Sequence, residues 1–402
     1  MTGEDRYLLV DYAAMISPND RRRLRSIGCA AALAFGSLVP LSAQWRITQL
    51  PIPRRQGGAS TESCSNSRVV GTWSLARRAA QLLAVPVDSA QVADLEPAVA
   101  SGAGGILLSG SDAPANLGAL IRSLDAHAEG GIAPFVMTDE EGGEVQRLAN
   151  LVGSIPWPRT MAAQMSPSAV EALADAIGKR MLASGVTMDL APVLDIAGGP
   201  GPDATHTDGP RSFSPNPAVA ARYGLAFARG LLESGVIPVV KHFPGEGRAS
   251  ANTDDAKAST PSLSTLERAD LVPFEDAIKA NVPAVMVGNA TIPGLTSLPA
   301  SLSPAVIGGL LRHHLGFHGL VLTDSLTALG ISDAGFSLAR ATVLAIHAGA
   351  DVVLFNASNP NLVFSELQSA IVQAVAAGKL PARVVDGAVA TVLAAKKVNL
   401  CG

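Results

Sequence analysis

The chain has 402 residues, 48% of them hydrophobic and 16% charged, with a formal charge of −4. Such a composition is globular and can bury a large core, and the small negative balance carries no bias toward polyanions, so nucleic acid is not an expected partner. The length exceeds one small domain but suits a single barrel, which with its loops takes roughly 250 residues or more.

Near the start, Arg21, Arg22, Arg23 and Arg25 precede an apolar run over 27–41 that ends in Ser42-Ala43-Gln44. A charged, then apolar, then small-residue order is that of an export signal. The run is short beside the ~20 apolar residues of a spanning helix. Its long polar extension nevertheless leaves an uncleaved signal-anchor open, and with it a membrane tether. Residues 1–43 are therefore expected to be an extension with a signal peptide or signal-anchor, and the protein to be exported, either secreted or associated with the cell envelope. Residues 44–71 are rich in Pro, Gly, Ser and Arg without apolar periodicity and read as a flexible linker, which leaves 72–402 for the folded domain. Loss of a signal would leave Cys64 and Cys401 in an oxidising compartment. A disulfide tying the chain ends is expected there, the alternative being two unpaired thiols.

Eight short apolar runs follow, at 81–87, 105–109, 135–139, 186–196, 236–242, 284–288, 320–324 and 351–355. Between most of them lie stretches with helical spacing, at 115–128, 169–183, 217–234 and 337–348, many ending in Gly as helix C-termini do. Nearly continuous apolar strands separated by helices imply parallel pairing covered on the outside. Eight such repeats close into a single-domain α/β fold of the (β/α)8 TIM-barrel type, with a doubly wound open sheet as the alternative. The last stretch, 361–398, reads as closing helices of the same domain.

Polar residues interrupt these runs almost always at their trailing ends: Asp139, Asp195, Lys241, His242 and Asp324. An unpaired buried charge costs several kcal/mol, so a cluster of charges at one barrel face implies a polar pocket or, alternatively, an ion-pair network at the rim. Asp324 stands out, because a carboxylate on a rigid strand end can act as a nucleophile in covalent catalysis. The plainer reading of Asp324 is a cap for the next helix.

The segment Lys241-His242-Phe243-Pro244-Gly245-Glu246-Gly247 resembles the K-H-F-P-G-x-G signature of family-3 glycoside hydrolases, in the β-N-acetylglucosaminidase branch. Thr138-Asp139-Glu140-Glu141-Gly142-Gly143-Glu144-Val145-Gln146-Arg147 is similar to that family's D-x-E-G-G-R-V-x-R segment, with Glu144 where an Arg is usual. Arg211-Ser212-Phe213 resembles its R-S-F loop, and Ala191-Pro192-Val193-Leu194-Asp195 its A-P-V-x-D strand. The resemblance implies a barrel from about Cys64 onward, with Asp324 in Thr323-Asp324-Ser325-Leu326 as the nucleophile. It also implies that Asp139, Arg147 and Arg211 shape the sugar site, that Lys241 and His242 donate to substrate hydroxyls, and that Asp195 is structural. Carboxylates suit sugar recognition because each can accept two hydroxyl hydrogen bonds.

The pattern departs from that family at its general acid/base, a His in a D-S-H triplet. Here the triplet reads Asn252-Thr253-Asp254, the G-H-G histidine is Glu246, and the His of the following strand segment is Asn289. Asp254 is the expected replacement acid, with Glu246 or Asp255 as alternatives, since a carboxyl can donate the proton if burial or a neighbouring carboxylate raises its pKa. Two functions therefore stay open. One is retaining exo-hydrolysis of terminal β-linked N-acetylglucosamine or a related sugar from cell-wall fragments or glycoconjugates; the other is a catalytically weak or silent carbohydrate-binding protein on the same barrel. His313, His314 and His318 cluster ahead of the Asp324 strand, while His127, His206 and His347 lie apart, so no metal site and no cofactor is implied. A monomer is expected.

Overall fold

A computed structural model of the protein describes residues 66–401; the apolar run at 27–41 and Cys64 lie outside the described residues. Each of the eight apolar runs contains one strand. These are β1 (Leu83–Asp88), β2 (Gly105–Ser109), β3 (Phe135–Thr138), β4 (Met188–Asp189), β5 (Ile237–Phe243), β6 (Ala284–Val287), β7 (Leu320–Thr323) and β8 (Val353–Leu354). All pair in parallel in the spatial order β8-β1-β2-β3-β4-β5-β6-β7. A parallel bridge between Leu322 and Val352, with Thr323 N donating to Val352 O at 3.0 Å, joins the two outer strands. That contact closes the ring, so the fold is a (β/α)8 barrel rather than an open sheet.

The strands are apolar along their length because both faces are covered: Val85, Ile106, Val239, Val285, Val321 and Val353 are all buried. The long outer helices Pro167–Ala183 and Pro217–Ser234 start in the same way. Ser166 and Asn216 accept hydrogen bonds from main-chain N–H groups of the first turn, and a proline follows each cap. The second helix stops at Gly235, whose φ of 95° favours glycine. The two helices lie so close that a Cβ on Gly230 would stand 2.1 Å from the main-chain oxygen of Glu171.

Ordered structure begins earlier than the sequence implies. The helix Asn66–Gly71 falls inside the stretch expected as linker. It buries Val70 completely, and Asn66 clamps the end of the chain, its Nδ2 donating to Val398 O at 2.7 Å while Leu400 N donates to its Oδ1 at 2.8 Å. One apolar residue per turn of so short a helix leaves no periodicity to read. Cys401 is disulfide-bonded. The expected closing helices are Pro360–Ala376 and Ala382–Ala395. Among the described residues no helix is long and apolar enough to cross a membrane.

Gly230→Ala is expected to lower stability by about 1–3 kcal/mol through overpacking against helix backbone. In contrast, Gly387→Ala, in a helix where an added Cβ meets nothing within 4 Å, should be stabilising by roughly 0.4–1 kcal/mol. Chemical denaturation midpoints of the two variants check both.

Candidate active site

The C-terminal ends of the strands converge on a cavity of about 530 Å³. Its chemistry starts after β3, where Asp139, Glu140 and Glu141 follow one another and serve three purposes. Glu140 is buried and folds the chain into a small hairpin, its carboxylate accepting from Arg147 N at 2.7 Å and Gln146 Nε2 at 3.0 Å. Glu141 is buried as well. It takes a bidentate pair from Arg211, Nε and Nη2 each at 2.8 Å, and the Lys241 ammonium at 2.6 Å. Burial alone would push its pKa up, but the Arg211 and Lys241 cations hold the carboxyl well below the usual range. Lys241, only 3% exposed, also reaches Asp139 Oδ1 at 2.6 Å. Burial would lower its pKa, yet Asp139 and Glu141 raise it, so the ammonium stays charged.

The next residue, His242, is buried and follows a cis peptide bond. Asp195 fixes it from below: the main-chain N and the ring Nδ1 of His242 meet Asp195 Oδ2 at 3.0 and 2.6 Å. Burial lowers the histidine pKa, so the ring is neutral near pH 7. With Nδ1 engaged, Nε2 is the nitrogen left for a ligand. Asp195 Oδ1 also accepts from Glu246 N at 2.8 Å, so one buried carboxylate sets the conformation of the whole 242–246 turn. Beside it lies Asp208, fully buried, 3.4 Å from Arg211. Burial pushes Asp195 and Asp208 each up to about 7, and the charge of Asp195 adds to the rise at Asp208.

Asp324 follows β7 directly. Its N donates to Val287 O at 2.9 Å and its Oδ1 accepts from Ser325 N at 2.7 Å, which fixes the carboxylate on the barrel wall. Its pKa is raised by burial, with His242 opposing and Asp254 adding to the rise. Asp254 stands on the loop after β5, exposed at the mouth on one side, its own pKa raised by the protein crowding the other side and by Asp255. Glu246 is buried deeper, its Oε1 accepting from Ala290 N at 2.6 Å, and its pKa lies well above the ordinary carboxyl value through burial. Asn289 holds the chain beyond Asp324, Nδ2 donating to Ser325 O at 2.9 Å and Oδ1 accepting from Ser301 Oγ at 2.6 Å.

The structure thus gathers the residues expected to grip the sugar, Asp139, Arg147, Arg211, Lys241 and His242, on one cavity wall system with Asp324, Asp254, Asp255 and Glu246. Cys64 lies outside the described residues. Sequence reasoning missed Glu141 and Asp208. Glu141 had a signal, since two cations bound for one site require a counter-charge; Asp208 lies in a loop without apolar patterning and had none. Among the described residues, Asp195, Asp208 and His242 are the one trio whose ligand atoms come within 4.8 Å of one another. A cation there would have to break the His242–Asp195 bond beside the Arg211 guanidinium, so these residues fit a shared proton better than a metal ion.

Residues 74–395 match the family model described as the glycosyl hydrolase family 3 N terminal domain. The chain belongs to glycosyl hydrolase family 3. Within the family it is similar to the beta-hexosaminidase LpqI of Mycobacterium tuberculosis, 38% identical over 331 residues, or 80% of this chain and 82% of that one. The solved structure of M. tuberculosis LpqI superposes with a TM-score of 0.75 at 36% identity, over 83% of this chain and 97% of that chain. The beta-N-acetylhexosaminidase of Beutenbergia cavernae does so with a TM-score of 0.74 at 34% identity, over 81% of this chain and 99% of that chain. This family-3 chain is therefore an O-glycosyl hydrolase whose barrel is the family's own.

Because folding raises the Asp195 and Asp208 pKa values, the folded chain keeps protons that the unfolded chain gives up. The stability this contributes is full below the ordinary carboxyl pKa of 3.8 and is lost as pH rises to about 7. Asp208→Asn removes the titration and keeps the shape. Its denaturation midpoint should gain on the wild type between about pH 4 and about pH 7.5; an unchanged difference across that window would refute the assignment.

Proposed function

We propose that this family-3 enzyme removes terminal β-linked N-acetylglucosamine, or a closely related sugar, from cell-wall fragments or glycoconjugates with retention of configuration. The observation that carries the reading is that Asp324 and Asp254 line one cavity, with the charge of Asp254 adding to the burial that raises the Asp324 pKa. Where two carboxyls face each other, one ionises first and the other keeps its proton, which separates nucleophile from acid. Asp324, fixed on the barrel wall by the Ser325 N–H, is the carboxylate; Asp254, on the loop at the mouth, is the acid.

In the first step an Asp324 oxygen bonds to the anomeric carbon as the glycosidic C–O bond breaks, and the Asp254 proton passes to the departing oxygen. In the second, Asp254 takes a proton from water, whose oxygen attacks the anomeric carbon and releases Asp324. Asp139, charged Lys241 and neutral His242 offer acceptors and donors to the ring hydroxyls, and Arg147 and Arg211 shape the wall beside them. The names of the similar proteins, beta-hexosaminidase and beta-N-acetylhexosaminidase, support the sugar class. Glu246 and Asn289, each pinned by main-chain or hydroxyl partners, keep the mouth in shape where imidazoles were expected. The export-like pattern at 21–44 supports action on envelope or extracellular glycans, with the chain working as a monomer.

Turnover of an aryl β-N-acetylglucosaminide tests the roles. Asp324→Ala should abolish it, and Asp254→Ala should lower kcat by about 10²–10⁴-fold, with azide restoring product formation in the latter alone. Sugar binding without turnover by the wild type would select the binding-only alternative instead.

The pH profile supplies a separate check. Activity requires ionised Asp324 and protonated Asp254, so kcat/KM should be bell-shaped, with both limbs above the ordinary carboxyl range because both pKa values are raised. The alkaline limb should disappear in Asp254→Asn; a limb that stays in place would move the acid role to another group.

A further inference from the structure

The loop that carries Asp254 is built as one closed turn. Asp255 N and Ala256 N both donate to Asn252 O at 3.1 Å, and Asp254 N donates to Asn252 Oδ1 at 3.1 Å. A turn closed in this way moves as a unit, so the place of its carboxyl depends on what the turn rests on. On one side Asn252 N donates to Ala204 O at 3.1 Å, and on another Thr253, only 3% exposed, sets its hydroxyl 3.5 Å from Glu246 Oε2. The main support is the segment after β7, where Gly330 N donates to Thr253 O at 2.9 Å and Leu329 N to Asp254 O at 3.2 Å.

That segment is itself fixed. Leu326 N donates to Leu354 O at 2.9 Å, Asn356 N to Thr327 Oγ1 at 3.0 Å and Asn289 Nδ2 to Ser325 O at 2.9 Å, while Leu326 and Ile331 are buried. Its first residue is Asp324. Residues 324–330 therefore carry the nucleophile at one end and the seat of the acid's turn at the other. The seat is tight: a Cβ on buried Gly330 would stand 3.0 Å from Thr253 O and 3.2 Å from Ala256 O, both main-chain atoms of the turn. Two backbones approach here as only glycine allows, and a larger side chain has room only if the turn lifts.

We infer that Gly330 is a positioning residue for the reaction: by letting the turn 252–256 settle onto the segment that bears Asp324, it sets the separation of acid and nucleophile. The inference rests on the glycosidase reading above, with Asp254 as the acid. It makes that acid a fixed part of the barrel mouth rather than a group delivered by loop closure.

Aryl leaving groups read the acid directly. Phenolate is a poor leaving group and needs a proton from a general acid, whereas 2,4-dinitrophenolate departs without one. The test compares phenyl and 2,4-dinitrophenyl β-N-acetylglucosaminides in the full-length wild type, Gly330→Val, Gly330→Ala and Asp254→Ala. A misplacement of about 1 Å can cost about 10²-fold, so Gly330→Val should lower kcat/KM for the phenyl glycoside by about that factor and leave the dinitrophenyl glycoside within about threefold. Gly330→Ala asks its neighbours for only a few tenths of an ångström. It should show the same selective loss at about 3–10-fold, and it carries the test if the valine chain does not fold. Equal falls on both substrates, or no fall in either variant, overturn the inference, because a merely structural residue would disturb both substrates alike. Gly330→Ala/Asp254→Ala should be no slower on the phenyl glycoside than Asp254→Ala alone, since both changes act through one carboxyl; losses that multiply also overturn it. An equal fall on both substrates in Asp254→Ala itself is the separate signature of a wrong acid assignment, and takes this inference down with that reading.

Discussion

The barrel mouth depends on the buried carboxylate of Glu141. Two cations from different parts of the chain, Lys241 on β5 and Arg211 in the loop after β4, both end on it. Without that negative charge they would repel each other in a region with little water to screen them, and removing one partner of a buried pair typically costs about 3–5 kcal/mol. With it, Lys241 can keep its charge while reaching Asp139, and Arg211 can reach Asp208 as well. Three loops are thereby fixed against one another by electrostatics, before any sugar contributes.

Much of the fold was legible because its cause is simple. A parallel strand covered on both faces must be apolar throughout, and all eight such runs hold barrel strands. The helix Pro217–Ser234 announces both ends, by Asn216 and Pro217 at one and Gly235 at the other. The site was legible where a charge interrupts an apolar run, as at Lys241, His242 and Asp324. It was not legible where neighbouring residues share a chemistry and differ only in direction. In Asp139-Glu140-Glu141 the first carboxylate meets the cavity, the second folds the hairpin and the third neutralises the cations, and nothing in a row of three acids says which will do what. Asn66–Gly71 reads as linker in the sequence because a single turn and a half gains its stability from the helix Ala382–Ala395 that it packs on rather than from its own pattern.

Where imidazoles were expected, this chain carries carboxyl and amide groups, and the proton inventory of the mouth changes with them. Asp195, Asp208, Glu246, Asp254 and Asp324 all have raised pKa values. Some of these carboxyls therefore carry protons at pH values where ordinary aspartates and glutamates have none. Protonated, they act as hydrogen-bond donors, which carboxylates cannot. The net charge of the cavity is consequently less negative than its acid count implies, which is compatible with close approach of an electron-rich glycosidic oxygen.

The clamp between Asn66 and residues 398–400 has an engineering consequence. Where the two ends of a folded unit meet through side-chain and main-chain hydrogen bonds, a short peptide can join them and the ring of β/α units can be opened at another exposed loop. The order in which strands are connected is then free to change while their neighbours around the circle stay the same.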